Sequence, residues 1–350
     1  MLDLLTSLSQ NSQAWYAGLS SPQAITFLLA SLIACFIVLT KGADFLVDGA
    51  VGLAGNLGVP KIIIGATVVS LGTTMPEVAA SVMASLQGNG GIAAGNAVGS
   101  IICNAGLVFG LCCVITRLPV SRFTLSRNAW FQIGGVVLLF VLYLFSSQSV
   151  ADDGTGIRMF SRTFGIILLV GLLAYTLLSV KWARQSVTAN NEQKGSAILS
   201  VKLGKPIFLT IVGFVLVIIA ARVLVLVIEE LALKLGVPAD VVSVTLLALG
   251  TSIPEFATGL MSLIKGHKEL LVGNVIGANI LNVFFVFGAA AVVRPLAIPH
   301  RFLWLNFPAM LIIIALFHLN IWTSKKQLSR WPSLLMLIIY FVFVVIVYVL

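Results

Sequence analysis

Gly72-Thr73-Thr74-Met75-Pro76-Glu77 recurs 178 positions later as Gly250-Thr251-Ser252-Ile253-Pro254-Glu255. Around these hexapeptides Leu53–Gly110 aligns without a gap on Leu231–Gly288, with 23 of 58 positions identical. A second shared block follows: Gly95-Asn96-Ala97-Val98-Gly99-Ser100 with Asn104 in one copy, and Gly273-Asn274-Val275-Ile276-Gly277-Ala278 with Asn282 in the other. A repeat at a fixed offset decides the architecture, because each copy must fold as an equivalent unit.

Composition gives the medium in which those units fold. Of 350 residues, 59% are hydrophobic and 9% charged, with a mean hydropathy of +1.09, against about 25% charged residues in soluble domains. A soluble enzyme is excluded. A bilayer core takes about 20 apolar residues per helix, and such runs fall near 24–45, 61–86, 91–115, 128–146, 160–180, 205–232, 239–264, 269–293, 303–322 and 333–350.

The long polar connector 181–204 divides the chain into five-helix halves, 24–180 and 205–350, containing the repeat copies 53–110 and 231–288. Residues 1–23 form an N-terminal extracytoplasmic segment. Five spans separate equivalent positions, so the second copy crosses the membrane in the opposite sense. The expected fold is an all-α membrane protein of about ten transmembrane helices in two inverted five-helix repeats. Sites in such folds lie near the midplane, on helices interrupted by Gly or Pro.

The net charge of +9 follows from orientation. One alternating set of connectors holds 15 of the 21 basic residues and the other holds six, counting Arg222. The richer set is cytoplasmic by the positive-inside rule. Both termini are then extracytoplasmic, in a prokaryotic inner membrane, and no nucleic-acid partner is implied. Cys35, Cys103, Cys112 and Cys113 lie in apolar segments without metal-type spacing and read as small core residues. Asp44 and Asp48, with Lys41 one turn away, read as an interfacial cluster at the cytoplasmic end of the first helix.

Glu77 and Glu255 are the only carboxylates deep within these spans, at matching repeat positions. A buried glutamate in hydrocarbon costs several kcal/mol unless paired or neutralised, and no deeply buried Lys or Arg is available. A cation is the fitting partner. Thr73 lies four residues before Glu77, as Ser100 does before Asn104, so each pair shares a helix face. Thr251 with Glu255, and Asn282 from the following helix, repeat the pattern. Pro76 and Pro254 leave carbonyls one turn earlier without donors, near Ser70, Thr73, Ala248 and Thr251. Carboxylates, hydroxyls, amides and carbonyls make an all-oxygen set, which suits Ca²⁺ better than Mg²⁺. Two negative charges balance one Ca²⁺ or two Na⁺, and an empty site would resist closing, so obligatory exchange is the expected mode.

At these residues the chain resembles the Na⁺/Ca²⁺ exchanger branch of the cation/Ca²⁺ antiporter superfamily, whose two repeats carry G-T-S-x-P-E and G-N-x-x-G-S-N-I motifs. The stretch Gly42-Ala43-Asp44-Phe45-Leu46-Val47-Asp48-Gly49-Ala50 extends the resemblance to the first helix. The resemblance implies ten helices, alternating access, Ca²⁺ and Na⁺ as transported substrates, and no cofactor. It places Glu77, Glu255, Thr73 and Thr251 around Ca²⁺. It places Thr74, Ser252, Ser100, Asn104 and Asn282 at the central and Na⁺ sites, with the carbonyls of Ser70 and Ala248.

Three positions depart from the pattern. Ala278 lacks the hydroxyl that helps to hold Na⁺ in the family, Ile101 stands where the motif has asparagine, and Asn282 stands where several relatives have Asp. Fewer charges argue against K⁺ coupling. Gly95, Gly99, Gly273 and Gly277 read as helix-packing positions. His318 reads as a packing residue, and His267 and His300 as loop residues. H⁺-coupled divalent-cation exchange is the alternative function, with a passive cation channel behind it. An enzyme finds no support in H-E-x-x-H or serine–histidine patterns, nor a primary pump in a phosphate loop.

Overall fold

The computed structural model describes residues 21–116, 118, 122–150, 156–194, 203–234, 250–324 and 327–349. Among them are ten long helices or helix pieces. The first half holds α1 (Ser21–Leu57), α2 (Lys61–Leu86), α3 (Gly90–Ile115), α4 (Arg122–Leu144) and α5 (Arg162–Lys194). The second holds α6 (Gly204–Lys234), α7 (Ile253–Ile264), α8 (Lys268–Val293), α9 (Phe302–Thr323) and α10 (Arg330–Val349). Among the described residues, nine are long and apolar enough to cross a bilayer, and α7 is a shorter apolar helix. Part of the seventh span expected over 239–264 lies outside the described residues.

Two helices overrun their expected ends. α1 continues past residue 45 to Leu57, with Gly42, Gly49, Gly52 and Gly55 all held helical, and stops at Gly58, which adopts a positive φ of 65°. α5 continues to Lys194, so the polar connector expected from residue 181 begins as helix. Lys, Arg and Gln propagate a helix well once it has left the hydrocarbon.

α2, α3 and α8 are the most buried of the long helices, and α1, α5 and α10 are among the least. One large core joins α3, α4, α8 and α9 through residues such as Phe109, Phe287, Phe307 and Phe317. A second lies between α1 and α6, around Leu46, Val47 and Val217. Small residues set that approach: a Cβ on Gly213 would stand 2.5 Å from the Leu46 backbone nitrogen. Gly88 and Gly266, 178 residues apart, turn the chain into α3 and α8 with φ of 86° and 76°. That conformation is open to glycine and strained for other residues.

A small sheet is added to the expected all-α architecture. Ser147–Val150 (β1) pairs antiparallel with Gly156–Phe160 (β2), which pairs antiparallel with Leu296–Pro299 (β3). These strands of four or five residues sit in two connectors that the helical periodicity leaves unassigned. Arg158 of β2 caps α4, its Nη1 donating to Leu144 O at 2.7 Å and Ser146 O at 3.2 Å.

The sheet draws the α4–α5 and α8–α9 connectors to one face. The α1–α2, α3–α4, α7–α8 and α9–α10 connectors meet elsewhere: Lys61 lies 3.1 Å from His267, Lys268 donates to Thr116 at 3.1 Å, and Leu328 N–H donates to Leu118 O at 2.9 Å. Asp44 and Asp48 also join this face, with a partner other than Lys41. Lys265, just past α7, lies 2.5 Å from Asp44 and 2.6 Å from Asp48. Sequence spacing finds partners one turn away and is blind to one 217 residues distant.

Candidate cation site

Four helices build the site: α2 and α7 carry the glutamates, and α3 and α8 carry the asparagines. Gly273 and Gly277 let α8 lie against α2. A Cβ on Gly273 would stand 2.2 Å from Ile62 O, and one on Gly277 would stand 2.5 Å from both Ala66 O and Ser70 Oγ. Both glycines are therefore packing residues, as expected. Gly95 has more room, with Phe302 the nearest described neighbour at 3.8 Å.

The helices are irregular where chemistry is expected. α2 contains a π turn at Gly65–Val69 and continues through Pro76, whose missing N–H leaves the Gly72 carbonyl without its helical donor. α3 and α8 each contain a π turn, at Asn104–Phe109 and Asn282–Phe287, again 178 residues apart. Both open on an asparagine expected at the site, Asn104 and Asn282. Such turns recur at functional positions because they break the regular hydrogen-bond ladder.

Pro254 departs from expectation. A turn at Thr251–Ser252 precedes α7, so Pro254 lies in the helix's first turn and not in its interior. An N–H is dispensable there, so the proline does not free carbonyls in the way proposed for Thr251. Ala248, expected to contribute a carbonyl, lies outside the described residues.

Glu77 and Glu255 are buried at 0% and 1% exposure. Among the described residues neither Glu77 oxygen nor Glu255 Oε2 meets a donor. Thr74 Oγ1 donates to Glu255 Oε1 at 3.3 Å, and Thr73 also lies beside that carboxylate. No lysine or arginine among the described residues forms an ion pair with either glutamate.

The other expected residues divide into two groups. Ser252 and Ser100 meet at 3.4 Å, Thr251 donates to Asn96 Oδ1 at 3.0 Å, and Thr73 donates to Ser70 O at 3.3 Å. The Ser70 carbonyl is thus partly satisfied by a hydroxyl, while Ser70 Oγ turns to Thr67 O at 3.3 Å. Asn104 and Asn282 are fully buried and, among the described residues, their amides contact no hydrogen-bond partner, including the glutamates.

Sequence reasoning leaves out four buried polar residues that the structure brings into play. Asn96 donates to Glu77 O at 3.2 Å and to Ser81 Oγ at 2.9 Å. Asn274 donates to Thr258 at 3.3 Å. Asn279 is fully buried with its amide unsatisfied among the described residues. Cys103 contacts Ser252, so it borders the site as well as the core. The asparagines stand in the G-N and G-A-N-I blocks, beside glycines whose spacing also fits helix packing.

Unsatisfied oxygen atoms on buried carboxylates and amides, with no imidazole or thiolate cluster among the described residues, fit a hard cation as substrate. A family profile described as sodium/calcium exchanger protein matches residues 27–181 and 205–349. The chain belongs to the sodium/calcium exchanger protein family. This exchanger is 28% identical to the sodium/calcium exchanger MaX1 of Methanosarcina acetivorans, over 93% of its own length and 99% of that relative. It is 33% identical to the inner membrane protein YrbG of Escherichia coli K12, over 88% of its own length and 92% of that protein. Among solved structures it superposes on the sodium-calcium exchanger NCX_Mj soaked with Na⁺ and Sr²⁺, with a TM-score of 0.77 and 26% identity, covering 92% of this chain and 99% of that one. The exchanger is thus a multi-pass membrane protein with the inverted-repeat fold.

Proposed function

We propose that the chain exchanges Ca²⁺ for Na⁺ by alternating access, at a midplane site built on Glu77 and Glu255. Thr73 and Thr251 complete the Ca²⁺ surroundings, and Thr74, Ser252, Ser100, Asn104, Asn282, the Ser70 carbonyl and, by repeat symmetry, Ala248 line the central and Na⁺ positions. The observation that carries this reading is the pair of buried carboxylates at positions 178 apart, three of whose four oxygens have no donor among the described residues. Two uncompensated charges in hydrocarbon require a cation, and one Ca²⁺ or two Na⁺ neutralises them.

In this reading the halves 24–180 and 205–350 rock against each other about the site, joined by a cytoplasmic 181–204 linker. Both termini, including the 1–23 segment, lie outside. An unloaded site keeps its charge and resists reorientation, which makes transport an exchange. The family names Na⁺ and Ca²⁺ as the substrates, and no cofactor or catalytic residue is needed.

Proton coupling is the second reading, favoured by the full burial of the Glu77 and Glu255 carboxyl groups, since a desolvated carboxylate takes up a proton more readily. Ca²⁺ uptake into proteoliposomes separates the two. An outward Na⁺ gradient is expected to drive uptake with pH equal on both sides. Uptake driven by a pH gradient and not by Na⁺ would overturn the Na⁺ assignment.

A further inference from the structure

The two repeats carry matching residues yet bond them differently. Thr251 crosses to the opposite repeat and donates to Asn96 Oδ1 at 3.0 Å. Its counterpart Thr73 donates to Ser70 O of its own helix at 3.3 Å. The counterpart acceptor, Asn274 Oδ1, is buried and meets no donor among the described residues. Likewise Thr74 donates to Glu255 at 3.3 Å, whereas its counterpart Ser252 turns to Ser100 at 3.4 Å and leaves Glu77 without a donor. The backbone follows the same division: α2 runs unbroken through Pro76, and in the second copy a turn at Thr251–Ser252 precedes α7.

Unequal arrangements of equivalent sequences are expected of an inverted-repeat carrier held in one orientation. Each arrangement is open to either copy, and exchanging them generates the opposite orientation. We propose that Asn96 and Asn274 are positioning residues that alternately hold the site threonine of the other repeat. In the reverse orientation Thr73 donates to Asn274 Oδ1 and Ser252 to Glu77, while Thr251 leaves Asn96 and Thr74 leaves Glu255. The idle Asn274 oxygen is the acceptor kept for that state. An unmade buried hydrogen bond carries a cost, and repeat symmetry explains why it is tolerated here. The exchange is not fully symmetric, because Ala278 stands where Ser100 stands in the first copy. Thr74 therefore has no hydroxyl to mirror the Ser252–Ser100 contact, and the orientation described here is the favoured one.

This proposal rests on the alternating-access reading, and its test needs no transport. The full chain in lipid nanodiscs would be followed by hydrogen exchange at residues 65–77 and 250–258. Asn96→Ala releases Thr251 and should raise protection at 250–258 while lowering it at 65–77, the ratio of the two changing by about fivefold, the worth of one hydrogen bond. Asn274→Ala removes the reverse-state acceptor and should shift both segments the opposite way. Shifts of the same sign in both alanine variants, or loss of protection confined to the mutated neighbourhood, would overturn the proposal. Opposite shifts in a chain that shows no Na⁺-driven Ca²⁺ uptake would support the switch and refute the cargo assignment.

Discussion

A hydroxyl of the first repeat serves the carboxylate of the second: Thr74 Oγ1 donates to Glu255 Oε1 across 3.3 Å, with both residues buried. A hydrogen bond to a charged group contributes about 1.5–3 kcal/mol. Thr74→Val should therefore raise the half-saturating Ca²⁺ concentration by about tenfold or more, and Thr74→Ser should stay near wild type. Side-by-side Ca²⁺ titrations of uptake check the contrast.

Gly277 leaves no space for a methyl group, since a Cβ would fall 2.5 Å from Ala66 O and Ser70 Oγ. Forcing α8 away from α2 costs about 1–3 kcal/mol in a packed core. Gly277→Ala should lower the melting temperature and weaken Ca²⁺ binding together. Gly134→Ala, with no described atom within 4 Å of its Cβ, should leave both unchanged or raise stability slightly.

Ala278 occupies the place of Ser100 in the second repeat and is fully buried. Ala278→Ser restores a hydroxyl oxygen near the expected Na⁺ positions. Na⁺ should then inhibit or drive Ca²⁺ flux at lower concentration, with a steeper dependence. The Na⁺ titration of flux in the two proteins decides it.

Lys265 ties α7 to α1 through Asp44 and Asp48. Burial pushes its ammonium down, but the Asp44 and Asp48 carboxylates outweigh that and raise it above the ordinary 10.5. A raised lysine contributes stability that is fully present below 10.5 and is lost as pH climbs through its higher folded value. Lys265→Gln should lose up to about 1 kcal/mol at neutral pH, as a partly exposed pair does. It should also flatten the alkaline decline of the melting temperature relative to wild type.

Much of this fold was legible because hydrocarbon imposes its own arithmetic. Helix-length apolar runs and a constant offset fixed the number and symmetry of the spans. The glutamates stood out because a carboxylate in a span has few structural explanations. What stayed hidden depends on contacts distant in sequence. The Lys265 bridge to Asp44 and the pairing of β2 with β3 join the two halves, and the asymmetry between Thr73 and Thr251 belongs to one conformation. The partners of Asn96 and Asn274 are hidden for a different reason: an amide beside repeated glycines has the pattern of a packing position.

Obligatory exchange at the Glu77–Glu255 pair is the central claim, and Ca²⁺ efflux from loaded proteoliposomes tests it most directly. With no counter-cation outside, wild-type efflux should be near the protein-free leak, and external Na⁺ or Ca²⁺ should start it. Glu77→Gln and Glu255→Gln should abolish that response. Robust efflux into cation-free medium, or stimulated efflux that survives either substitution, would contradict the account.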